Sequence, residues 1–127
     1  MKELKVKIVG WPVPMPRMTR GNKWTFKDHP VWGWREAVAW PVKKQMRIEG
    51  IELIVGPLSV GWDFRIKRDG RFGDLDNYIK AAKDSLQGVL YRNDKQIYQY
   101  LEPTRRQYVE EGQSEGGLDL LVRWEEE

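Results

Sequence analysis

The chain contains no cysteine, which excludes both a disulfide framework and a thiolate metal site. It has a single histidine, His29. Beside Pro30, that residue suits a turn better than it suits a metal ligand or a general base. Nowhere is there an apolar run long enough to span a bilayer. The first nine residues are charged and alternating rather than continuously apolar, unlike a secretory signal. These absences lead to the expectation of a cytoplasmic protein with no membrane partner. Acidic residues are scarce at the start. Up to Lys27, the seven bases Lys2, Lys5, Lys7, Arg17, Arg20, Lys23 and Lys27 face Glu3 alone. From Glu110 onward the balance reverses, with seven acids against Arg123. The formal net charge of +3 hides this asymmetry. A basic segment rich in Trp and Pro suits a polyanion partner, although a solvated charged surface is the simpler account when charge is the only clue.

A chain of 127 residues is expected to form one domain, residues 1–127, around one hydrophobic core. Leu4, Val6 and Ile8 alternate with lysines and read as a half-buried strand. The segment from Gly10 to Trp24 follows, with prolines at 12, 14 and 16. It must be extended, and it presents Arg17, Arg20 and Lys23 on a stiff loop. Such donors suit phosphates, and Trp11 or Trp24 suits stacking on an unpaired base; covering a sheet edge is an equally good account of the segment. Asp28 to Arg47 reads as a helix, capped by Asp28, with Val31, Trp34, Val38 and Val42 as its buried stripe and a kink or break at Pro41. Ile51 to Val55 and Leu58 to Ile66 read as a hairpin about Gly56-Pro57. Trp62 and Phe64 fall on its core face. A basic loop with Lys67, Arg68 and Arg71 then leads to Asp74. Ile97 to Val109 reads as a long strand bent or edged at Pro103, and Leu118 to Trp124 as a last one. Strands and helices in this order define an α+β fold.

The stretch from Gly73 to Ile97, GDLDNYIKAAKDSLQGVLYRNDKQI, concentrates the candidate chemistry. Leu75, Ile79, Ala82 and Leu86 recur at helical spacing and form a core stripe. Asp74 stands at the N-cap and Gly88 at the stop. Asp76 and Lys80 lie four apart on another face, and Asp94 arrives after the helix. Helix chemistry is one account of these acids: they complement the macrodipole, and Asp76 pairs with Lys80 at the surface. A divalent metal site is the other, because carboxylate oxygens are hard ligands suited to magnesium. From the D-x-D alone, the helix account is the simpler.

The pattern G-D-L-D-N-x-x-K-A-x-x-D-x-L-x-G-V-L followed by N-D-x-Q-I resembles the RusA family of Holliday junction resolvases. So does the opening G-x-P-x-P-x-P-R-x-x-R from Gly10 to Arg20. The resemblance implies a small homodimeric endonuclease that binds four-way DNA junctions and nicks two opposed strands with magnesium or manganese. It also implies a mixed β-sheet flanked by helices, here two main ones. The family's catalytic and metal-binding acids fall on Asp74, Asp76 and Asp94, and its essential lysine on Lys80. Arg17, Arg20, Lys23, Arg68 and Arg71 are then the expected DNA contacts. Two positions depart from the family pattern: Asn93 stands where a second adjacent acid is common, and Gly73 where proline is common. A non-catalytic junction-binding module, whose acids only cap a helix, is the alternative. A phosphatase of the haloacid dehalogenase type is disfavoured, because its nucleophilic aspartate needs a parallel α/β sheet.

Overall fold

The computed structural model describes residues 1–16, 29–68, 73–110, 112 and 114–125. Its elements are β1 (Lys2–Val9), α1 (Val31–Glu49), β2 (Leu58–Lys67), α2 (Leu75–Leu86), β3 (Ile97–Tyr100), β4 (Arg105–Val109) and β5 (Gly117–Trp124), with a 3-10 turn at Asp94–Gln96. The sheet is mixed. β5 lies antiparallel between β1 and β2, and β3 and β4 pair one after the other with the far side of β2, both parallel to it. The α+β class and the mixed sheet with two helices are therefore as expected.

Alternation along the strands decides which side of the sheet is covered. Leu4, Val6, Ile8, Val60, Trp62, Phe64, Ile66, Leu118, Leu120 and Val122 are buried on one face, because side chains two apart share a face. Both helices supply their apolar stripes to the same core, through Val31, Trp34, Val38, Val42 and Met46 of α1 and Tyr78, Ile79, Ala81, Ala82 and Leu86 of α2. The other face is charged. Arg123 bonds Glu3 at 2.8 Å across β5 and β1, and Arg65 pairs with Asp119 at 2.7 Å across β2 and β5. Asp63 is buried on this face of β2. It accepts from Arg105 Nε at 3.1 Å and from Gln107 Nε2 at 3.0 Å, both on β4. The Asp63 carboxylate beside Arg105 raises the guanidinium's pKa further above its usual value.

Three expectations change. Residues 51–57 form no strand: Ile54 makes only an isolated bridge to Tyr91, so the hairpin is absent and β2 pairs instead with β5, β3 and β4. The apolar alternation of Ile51, Leu53 and Val55 resembled a strand, but Leu53 and Val55 are exposed, so no sheet face needed them. α1 runs through Pro41 without a break; Val38, Val42 and Met46, buried on either side of it, offset the one lost backbone donor. At the start of α1, His29 is the turn residue expected of it, and its Nδ1 accepts from the Val31 N–H at 3.1 Å. The Asp28 cap lies outside the described residues. The long strand from Ile97 divides into β3 and β4 around a cis Glu102-Pro103 peptide, which is the bend that Pro103 implied.

Candidate active site at the start of α2

β2 hands the chain to α2, and three contacts hold the start of that helix. Arg106 on β4 donates from Nη1 to the Gly73 carbonyl. The Met15 N–H bonds the Asn77 carbonyl at 2.9 Å. Pro14 packs against Gly73 so closely that a Cβ there would lie 2.8 Å from the Pro14 Cβ. The proline segment therefore lies on the first turn of α2. Gly73 is explained by this packing: a side chain would have to displace a stiff ring. Gly73→Ala is expected to lower stability by about 1–3 kcal/mol, read as a fall in the urea midpoint at unchanged m-value.

Asp74 and Asp76 are exposed on this turn. Asp74 occupies the N-cap with extended backbone (φ −67°, ψ 154°), yet its side chain makes no cap hydrogen bond. Asp76 and Lys80 form no ion pair, and among the described residues none of Asp74, Asp76 and Lys80 has a side-chain hydrogen bond or ion pair. Asp76, Lys80 and Asp84 recur every four residues and so stand in one row along α2. The capping and surface-pair account of these acids thus lacks both of the bonds it would need.

Asp94 belongs to the other end of α2. Its backbone N–H bonds Oε1 of Gln87, the C-cap residue, at 3.4 Å. Twelve helical residues separate it from the Asp74 end, a rise of about 18 Å. Among the described residues no three acidic or histidine side chains stand close enough together to hold a metal ion. Asn93 caps the 3-10 turn: its side chain accepts from the Lys95 N–H at 2.9 Å, and Gln96 Oε1 accepts from the Asn93 N–H at 2.8 Å. Gln96 Nε2 in turn bonds the carbonyls of Ile54 and Gly56, which ties Asp94's turn to the core. Beneath it Tyr91 is fully buried and donates to the Lys83 carbonyl at 2.7 Å. Burial pushes the Tyr91 phenol far above its ordinary pKa, and the carboxylates of Asp94 and Asp84 act in the same direction. The phenol is a fixed neutral donor.

Of the expected DNA contacts, Arg68 is exposed, with its guanidinium 4.8 Å from the Tyr108 ring centroid. Arg17, Arg20, Lys23 and Arg71 lie outside the described residues. Sequence reasoning missed Arg106 and Gln87 as supports of the site. Arg106 had a signal, since strand alternation places it on the core face beside Phe64; Gln87 had none.

The chain is a small α+β domain whose mixed sheet and two helices present exposed carboxylates at the start of α2. A family model described as endodeoxyribonuclease RusA matches residues 10–111. The chain belongs to that family, whose general activity is Holliday junction resolution on branched DNA. No curated protein matches the chain.

Proposed function

We propose that the chain resolves four-way DNA junctions by metal-dependent phosphodiester hydrolysis, as a homodimer that nicks two opposed strands. The observation carrying this reading is that the Asp74 and Asp76 carboxylates are exposed on one turn and engaged by no cap bond or ion pair. Two carboxylates suit magnesium, which usually takes one or two such ligands and fills its shell with waters and substrate phosphate oxygens. Manganese accepts the same donors. When bound, the ion supplies an activated water and charge stabilisation at phosphorus.

Asp74 and Asp76 hold the ion. Lys80, one turn along the same exposed row as Asp76, places positive charge where negative charge develops on the phosphoryl oxygens. Asp94, in the 3-10 turn beyond the far end of α2, is separated from this pair by the length of that helix, and in the homodimer it comes from the second copy. Dimerisation then serves two ends: it completes each site and it matches a two-fold symmetric junction with two cuts. Arg17, Arg20, Lys23, Arg68 and Arg71 meet phosphates, and binding is accordingly steep in salt.

The test is cleavage of a labelled synthetic four-way junction with magnesium, beside linear duplex and EDTA controls. Paired symmetric nicks confined to the junction and abolished by EDTA are expected. Tight junction binding with no cutting in magnesium or manganese would overturn the reading in favour of a binding module.

A further inference from the structure

The outward face of α1 has no part in the site just described. At about 100° per residue, Trp32, Glu36, Trp40, Lys43, Lys44 and Arg47 share one arc opposite the buried stripe of this helix. Trp40 is 66% exposed and Trp32 38%. The Arg35 guanidinium covers the Trp32 ring at 4.7 Å from its centroid, whereas Trp40 is left open and forgoes the burial that usually makes tryptophan favourable. Lys43, Lys44 and Arg47 make no ion pair among the described residues. The one other acid late in the helix, Glu49, is already bonded to Gln45 Nε2 at 2.7 Å. Among the described residues the row therefore carries three cations without an ion-pair partner against Glu36.

Its position is also informative. Ser85 of α2 donates to the Arg35 carbonyl of α1 at 2.5 Å. The two helices are neighbours in one layer, with axes about 8–10 Å apart for directly packed helices. The α1 row from Trp32 to Arg47 rises about 22 Å. A strand cut at Asp74 and Asp76 belongs to a duplex arm, and an arm is wider than that helix spacing. A polyanion is the occupant this charge fits, since Lys43, Lys44 and Arg47 stand on the row with Glu36 as its one acid.

We propose that this face of α1 is a contact surface for a duplex arm of the DNA substrate, with Lys43, Lys44 and Arg47 on phosphates and Trp40 packed against the sugar-phosphate backbone. The proposal rests on the nuclease reading above and adds to it where the arm lies. Its test is binding of the full chain to a fluorescent four-way junction in EDTA, between about 50 and 200 mM salt. The Lys43→Ala/Lys44→Ala/Arg47→Ala variant is expected to bind roughly tenfold more weakly at the upper end of that range. Its plot of log affinity against log salt should be shallower by about 2–3, near 0.9 for each phosphate that no longer meets a cation. Trp40→Ala should weaken binding a few-fold at an unchanged slope. Alanine favours helix, and an unchanged melting curve checks that the fold is kept. Wild-type affinity and slope in the triple variant would overturn the proposal. So would a change of oligomeric mass in either variant with the DNA slope intact, which would assign the face to a second copy. Binding without metal does not depend on the carboxylate chemistry. Failure of the nuclease reading would therefore appear separately, as wild-type protein that binds the junction but does not cut it.

Discussion

Asp74→Asn is expected to abolish junction cleavage, by on the order of a thousandfold or more, while junction affinity in EDTA stays close to that of the wild type. The magnitude follows from the several kcal/mol of transition-state charge stabilisation that depart with the ion. The substitution separates two accounts of the same residue. Asparagine is as good an N-cap as aspartate, so a purely structural role predicts wild-type stability and, if the protein cuts, wild-type cutting. A ligand role predicts a folded protein that binds and does not cut. The absence of a side-chain cap bond from Asp74 already leaves the structural role with little to explain. Full activity in Asp74→Asn would remove this residue from the proposed metal site. Asp76→Asn is expected to follow it, and its loss is not attributable to a broken pair with Lys80, because no such pair forms.

Refolding Asp74→Asn together with Asp94→Asn is expected to restore nicking that neither variant shows alone. If Asp94 completes the site of the other copy, a mixed dimer carries both lesions in one site and none in the other. Random pairing makes half of the dimers mixed, so about a quarter of wild-type sites return, and they return as single nicks rather than paired ones. If Asp94 served its own chain's site, every site in the mixture would be damaged and the mixture would stay as inactive as its parents. The separation behind this expectation is structural. Asp94 is tied to Gln87 at the end of α2, and the acid pair stands at the start.

Periodicity was enough for β1, β5, the central β2 and both helices, because each buries one face and a one-residue slip would expose it. The same rule misled at 51–57, where Leu53 and Val55 alternate like a strand but face water. Pattern alone carries no information on whether a partner strand is present. Pro41 likewise lies inside α1 because the packing of neighbouring residues outweighs the loss of a single helical bond.

Both departures from the family pattern have local settings that the sequence could not show. Gly73 is needed because Pro14, remote in sequence, lies against it. Asn93 keeps a side-chain oxygen for capping the Asp94 turn, a task an aspartate performs equally well. The amino-acid sequence by itself determined the family, the fold class and the identity of the acids at the head of α2, because these depend on residue type and short-range spacing. Only the tertiary structure decided which acids stand together. A helix of three turns holds its two ends apart whatever the motif says, and the position of Asp94 depends on bonds to Gln87 and, through Gln96, to Ile54 and Gly56. Such contacts are set by packing across the chain, where sequence spacing has no grip.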